Sequence, residues 1–503
     1  MRSLGVLLAV AAAVAVTADA DAQEVGPRAQ RSALLDQSLE SLFALDLAPG
    51  MAVVAVIGDQ VAYLRGFGFR DREAQLPVTA ETMFYIASTT KSFTAFVAAL
   101  LDHRAQLDLD APLSSYLPAL QMKPPLSATT IMLRDLLTMT HGIRDGGPIV
   151  FRAAYTGDHS PALLLDLLGQ YEPSPTGRAF VYGNLGYNIA GFALDARFPI
   201  GWKALVEREV FDPLGMVDTH ADLTGVDRDR LAMPYAAEAT GYRRLPYDKT
   251  AATMHAAGGH VSTARDLARW VEAHLNGGQV DGREVLPPEV VAATHRKHTD
   301  QDRTFAAFQR FGWGLGWDLG TYDGDTLIHR FGSYPGFRSH VSFMPSRGVG
   351  VVVLVNEAGL GSVLADAAAT TIYDALLQKP NLRARHQTSV AATGALAMRG
   401  REGIGADRAR RAARPQDTAH PLAAYEGTYR NAAWGCMSWR VERDTLRAQI
   451  GVAVSAAEVY DGAKDQFRVE LAGGGQVVTF RFQGPAAVGL TSNDQEFTRA
   501  PCR

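Results

Sequence analysis

Cysteine is nearly absent: 503 residues contain only two, Cys436 and Cys502. No His-Glu-x-x-His string and no close Cys/His set accompanies them, so no metal and no cofactor is expected. His295 and His298 read as decoration of a surface helix. No Gly-x-Ser-x-Gly string occurs either, which excludes the nucleophile turn of an α/β-hydrolase. Charge of one sign is also missing. Against 53 Asp and Glu stand 49 Lys and Arg, a formal net charge of −4, and no basic run has aromatics interleaved, which argues against nucleic acid as a partner. The one Arg-rich patch, Arg408 to Arg414, lies in low-complexity sequence and reads as linker. Long apolar runs are missing too. Leu4 to Val16, thirteen residues, is too short to span a bilayer comfortably, and no later stretch is long enough.

That short run has another use. Arg2 precedes it, and Ala18-Asp19-Ala20 and Ala20-Asp21-Ala22 follow, the small-residue pattern of a cleaved signal peptide. Residues 1–22 are therefore expected to be removed, with the mature protein starting near Gln23 in the periplasm or the medium. In such an oxidising compartment Cys436 and Cys502 become a candidate disulfide, with free buried thiols as the alternative. The chain as a whole, 47% hydrophobic and 20% charged, can bury a large core and divides into two domains and a linker.

Ser32 to Leu45 reads as a helix, and Met51–Ile57 with Val61–Phe67 as a hairpin around Gly58-Asp59. A second strand pair, His340–Met344 and Val349–Val355, comes late and is followed by a helical stretch from Ser362 to Leu377. Between the pairs, residues 95–250 are richer in helix and turn signals. From Lys379 to His420 periodicity fades and Arg, Ala, Gly and Gln accumulate, the pattern of a flexible connector. Short alternating segments such as Met437–Val441 and Val477–Phe482 then indicate a small β-domain over 421–503.

The chain contains one Ser-x-x-Lys, Ser88-Thr89-Thr90-Lys91. It opens an apolar stretch in which Phe93, Phe96, Val97, Leu100 and Leu101 recur at helical spacing. Positions i and i+3 of a helix share a face with Cβ atoms about 5–6 Å apart, so Lys91 can reach the Ser88 hydroxyl, which needs such a base before it can attack. Alone the string is weak evidence. Its company strengthens it, because Tyr182-Gly183-Asn184 and then Arg330-Phe331-Gly332-Ser333 follow in order. A second Tyr-x-Asn, Tyr429-Arg430-Asn431, lies outside that interval and is set aside.

Together these elements resemble the serine β-lactamase and penicillin-binding protein superfamily, most closely its class C-like branch, whose third motif is Lys-x-Gly or His-x-Gly. Leu107–Pro112, Leu133–Thr138, Pro213–Met216 and Ala257-Gly258-Gly259 also look familial, and the resemblance spans roughly residues 30–378. It implies an α/β (α+β) sandwich of the β-lactamase/transpeptidase type, with a central antiparallel sheet, flanking helices and a helical subdomain over 23–378. A linker over 379–420 and a lipocalin-like domain would follow, the latter read as serving packing and stability, with accessory binding as the alternative. The resemblance further implies Ser88 as nucleophile, Tyr182 as principal base, Lys91 as co-base, and Asn184 as the group orienting Lys91 and the substrate amide. The oxyanion donors would be the backbone N–H groups of Ser88 and Ser333.

The chain departs from the family pattern twice. Thr138-Met139-Thr140-His141-Gly142 replaces Thr-His-Thr-Ser-Gly, which changes two polar positions near the expected cleft rim and leaves room for an ester. At the third motif, aligning Gly332 puts Arg330 where Lys or His is expected, with His329 as the competitor. Strand alternation favours Arg330, on the same face as Gly332. There the glycine would let a ligand approach, and the arginine would grip a carboxylate or lower the proton affinity of Lys91 and Tyr182. The expected substrates are a small ester, a D-amino-acid peptide or a β-lactam. An esterase, D-Ala-D-Ala carboxypeptidase or D-aminopeptidase ranks ahead of a class C-like β-lactamase. A non-catalytic cell-wall or β-lactam-binding protein is the reading from another class.

Overall fold

The computed structural model describes residues 30–502; the expected signal peptide, 1–22, lies outside them. Nine strands form one antiparallel sheet. Its centre joins two segments far apart in the sequence, because Gly50–Ile57 pairs on one side with Gln60–Asp71 and on the other with Val349–Val355, Val53 facing Val353. Phe337–Met344 and Asp325–Tyr334 continue it outward. The central strands are buried on both faces, which explains their near-continuous Val and Ala. Ala52, Val54, Val352 and Leu354 point to the helical side that carries Thr90–His103 and Ala264–Leu275. Met51, Val53, Val351 and Val353 point to the opposite layer, built from a helix over 30–43 and Leu360–Leu376. The antiparallel sandwich with its inserted helical region is thus present. Three of its strands, Thr299–Phe305, Phe308–Trp313 and Asp318–Tyr322, carry no alternation strong enough to read in the sequence.

The expected flexible connector is instead a helix of 31 residues, Leu382–Ala412. Arg, Ala and Gln, taken as marks of flexibility, are strong helix formers. The helix fully buries only Thr393 and Ala397, and the line of Val390, Ala397 and Ile404 that packs on the core is too narrow to stand out in the sequence. Its arginines do the anchoring. Arg401 donates to Glu238 O at 2.8 Å and Gly241 O at 3.1 Å, Arg408 pairs with Glu238, and Arg411 lies 3.0 Å from Glu458 in the C-terminal sheet.

That second sheet also has nine antiparallel strands, from Gly427–Asn431 to Gln495–Arg499, curled nearly into a barrel around Tyr425, Tyr429, Trp439, Phe467 and Phe480. Cys436 and Cys502 are joined, with Cα atoms 5.7 Å apart. Tyr429 of the second Tyr-x-Asn is buried and donates to Tyr425 O, while Asn431 caps the turn at Ala433 and Trp434.

Candidate active site

Ser88 lies in a tight turn, Ala87–Thr89, that feeds the helix Thr90–His103. Ala87 has φ 47°, a left-handed conformation that costs a non-glycine residue energy and is held by its surroundings. Ser339 supplies part of that hold. Its buried hydroxyl donates to Ile86 O at 2.7 Å and meets the Thr89 hydroxyl at 2.8 Å, so the sheet grips the turn on either side of the serine. Sequence reading missed Ser339 because its partner is 253 positions away.

Lys91 is buried one helical turn from Ser88. Its Nζ donates to Ser88 Oγ at 3.1 Å, Asn184 Oδ1 at 2.6 Å and Ala257 O at 2.8 Å. The Tyr182 ring lies beside them, its centre 5.2 Å from Lys91 Nζ. The structure therefore brings Ser88, Lys91, Tyr182 and Asn184 into one cluster. Burial, reinforced by Arg330, holds the Lys91 amine below its ordinary range against the opposing pull of Tyr182. Burial alone would raise the Tyr182 phenol, but Arg330, Lys91 and the Ser88 hydroxyl outweigh it and leave the phenol below its usual value.

Asp145 is a second residue the sequence did not reveal. One carboxylate oxygen accepts from Asn184 N and Leu185 N, each at 2.9 Å, fixing the asparagine at the head of the helix Leu185–Arg197. It also explains Gly183, where an added Cβ would sit 2.1 Å from that carboxyl group.

The third motif follows the expected alternation but is used differently. Arg330 is on the Tyr182 side, its guanidinium carbon 4.8 Å from the centre of the Tyr182 ring and 5.1 Å from that of Trp313. It is buried, ion-paired with Asp318 at 3.0 Å, and donates to Phe331 O at 3.2 and 3.1 Å. A carboxylate grip is thereby corrected, since the fork is already occupied. The electrostatic role remains, because the cation lies against the phenol ring. His329 faces the opposite layer beside Phe308 and Phe331. Gly332 is corrected too. An added Cβ there would lie 2.1 Å from Ile86 O and 3.0 Å from Ser88 N, so the backbone that approaches is that of the Ser88 turn. Ser333 is exposed. Pairing with Asp318–Tyr322 stops at His329, which leaves that edge without a strand neighbour from Arg330 to Tyr334.

The altered Thr-Met-Thr-His-Gly segment is not at the rim. Met139 and His141 are buried behind the second motif: Met139 O accepts from Val181 N at 3.1 Å, and the His141 ring packs where a Cβ on Gly186 would be. Neither change opens room for a substrate. His295 is also not surface decoration, because its Nε2 lies 2.8 Å from Nδ1 of buried His274. A Ser342–His340–Asp366 chain, with contacts of 2.8 and 3.0 Å, copies a hydrolase triad. Its serine and histidine have no exposed surface and serve to tie the sheet to the helix Leu360–Leu376.

A family model described as Beta-lactamase matches residues 39–375. An "Unguisins hydrolase ungD'" from Aspergillus campestris is 28% identical over 327 residues, covering 61% of this chain and 58% of its own length. The chain thus spans little more than half of that relative. A "Beta-lactamase" from Pseudomonas fluorescens is 25% identical over 356 residues, covering 64% of this chain and 93% of its own. Among solved structures, the octameric penicillin-binding protein homologue from Pyrococcus abyssi superposes with a TM-score of 0.58 at 21% identity, over 93% of this chain and 99% of its own; this likeness is one of fold.

Proposed function

Since this chain belongs to the beta-lactamase family, we propose that it is a serine hydrolase that cleaves neutral esters or amides through an acyl-enzyme on Ser88. The observation that carries this is the Lys91 amine bridging Ser88 Oγ and Asn184 Oδ1, with the Tyr182 ring centre 5.2 Å from that amine. Tyr182, its proton affinity lowered by the cation against its ring, takes the Ser88 proton as the hydroxyl attacks the carbonyl carbon. Lys91 shares that proton and returns it to the leaving group. Charge collects on the carbonyl oxygen, and the amides of Ser88 and Ser333 are the donors we assign to it. Their support is the packing of the Ser88 turn on Gly332 and the open edge beyond His329. Water then attacks the ester by the same route in reverse.

Occupation of Arg330 by Asp318 favours substrates without a carboxylate at that point, so an ester or simple amide ranks above a D-Ala-D-Ala peptide, and a β-lactam ranks below both. The reading includes export: the disulfide fits an oxidising compartment, and N-terminal sequencing of the mature protein checks cleavage near Gln23. The chemistry is tested by comparing rates on p-nitrophenyl butyrate, nitrocefin and a D-Ala-D-Ala peptide, alongside fluorophosphonate labelling. The ester is expected to turn over fastest, and Ser88→Ala to abolish both turnover and label. A wild type that neither labels nor cleaves any of the three is a binding protein, not an enzyme.

A further inference from the structure

Residues 145–157 run from the second motif to the third. At one end Asp145 holds Asn184; at the other the Tyr155 ring stacks on Tyr334, two positions beyond Gly332, with centroids 5.4 Å apart. Between these ends the segment is gripped by the C-terminal domain. Arg152, buried, donates to Ala433 O at 2.6 Å and reaches Ala432 O at 3.4 Å. Phe151 lies 5.5 Å from Trp434, and Val452 N donates to Thr156 O at 2.9 Å. Two glycines mark the closest approaches. A Cβ on Gly451 would fall 2.0 Å from Thr156 O, and one on Gly473 would fall 2.1 Å from Pro335, the neighbour of Tyr334. Tyr247 secures the second approach, donating to Glu470 O and accepting from Gly473 N, both at 2.9 Å.

The result is an unbroken aromatic chain. Tyr85, three residues before the nucleophile, contacts Tyr334 at 4.7 Å, Tyr334 contacts Tyr155, Tyr155 contacts Phe151 at 6.4 Å, and Phe151 contacts Trp434. The cation nearest this wall is committed within it, since Lys249 Nζ lies 4.6 Å from the Tyr85 ring and 4.4 Å from the Tyr334 ring and donates to Ala154 O. Tyr85 and Tyr334 are buried and Tyr155 is half-buried, so Tyr155, backed by Tyr334, is the ring that can meet an apolar substituent and discriminate by its size.

We propose that the C-terminal domain is a working part of the substrate site: by clasping residues 147–157 it fixes the Tyr155–Tyr334 wall and sets how large an apolar group the Ser88 site accepts. The proposal rests on the hydrolase reading above for its substrates, but not for its mechanics. Two measurements on the full-length protein test it. The first is amide hydrogen exchange. Trp434→Ala should speed exchange across 147–157 relative to the wild type, and Trp434→Phe should restore it. Unchanged exchange overturns the clasp, whether or not any substrate is cleaved.

The second is the ratio of kcat/KM for p-nitrophenyl hexanoate over p-nitrophenyl acetate. Trp434→Ala and Tyr155→Ala are each expected to change this ratio by about tenfold, the scale of a lost methylene-sized contact, with Tyr155→Phe close to the wild type. Combining the two alanine substitutions should add little beyond the larger single effect, because both act through one segment. Ratios that stay constant, or effects that multiply independently, overturn the proposal. A wild type that cleaves neither ester sinks the substrate reading instead, leaving the exchange result to decide the clasp.

Discussion

Arg330 shows how one substitution at a motif position changes a residue's task. A lysine or histidine there can exchange a proton; a guanidinium cannot, and this one is held by Asp318 with its carbon 4.8 Å from the Tyr182 ring centre. Its charge lowers the proton affinity of both Tyr182 and Lys91. Removing the charge therefore raises both, and the base is free only at higher pH. Arg330→Met should move the rising limb of the kcat/KM pH profile upward, while Arg330→Lys should leave it near the wild type. A limb unmoved in Arg330→Met would contradict the electrostatic role. The spacing of Ser88 and Lys91 made their contact legible, since three positions on a helix define a distance. Asp145, Ser339 and the occupied state of Arg330 were not legible, because each depends on a partner brought near by the fold.

Among the elements, the helix Leu382–Ala412 inverts the usual relation between burial and stability. With only two of its residues fully buried, it is held by polar contacts at its edges as much as by the narrow apolar line of Val390, Ala397 and Ile404. Arg401 is the clearest, reaching Glu238 O, Gly241 O and the Asp46 carboxylate at 2.8, 3.1 and 2.8 Å. Hydrogen bonds to a charged donor contribute about 1.5–3 kcal/mol, so Arg401→Ala should lower the unfolding free energy measured in urea by about that much, with the rate on p-nitrophenyl butyrate little changed. The strand pairs and the helix after them were readable because burial on both faces, or one face, writes a pattern into the sequence. A strut held by scattered arginines writes none.

For the whole molecule, the same burial that suppresses charge at the site makes the body sensitive to acid. His260 sits among Phe93, Phe211 and Trp202 with neither ring nitrogen hydrogen-bonded among the described residues, and burial pushes it down to about 3. His295 is likewise pushed down to about 3. The unfolded chain binds a proton at each near pH 6.5 and the native state does not, so stability is full above that pH and falls as pH drops toward 3, by about 1.4 kcal/mol per pH unit for each such group. Urea unfolding at pH 7, 6, 5 and 4 checks this. His260→Phe should flatten the slope by about one proton's worth, and an unchanged slope would show that this ring does not stay neutral in the native state.

Sequence alone determined the chemistry on offer and the class of fold: a serine and a lysine three apart, a tyrosine and an asparagine two apart, and apolar strands bracketing a helical insertion. Those follow from local geometry, which short spacings and periodicities encode directly. Tertiary structure alone decided that Arg330 pairs with Asp318, that Gly332 makes room for the Ser88 backbone, and that the C-terminal sheet grips the segment joining two motifs. Each is a contact between residues distant along the chain, set by how sheets and helices pack, and no local pattern records it.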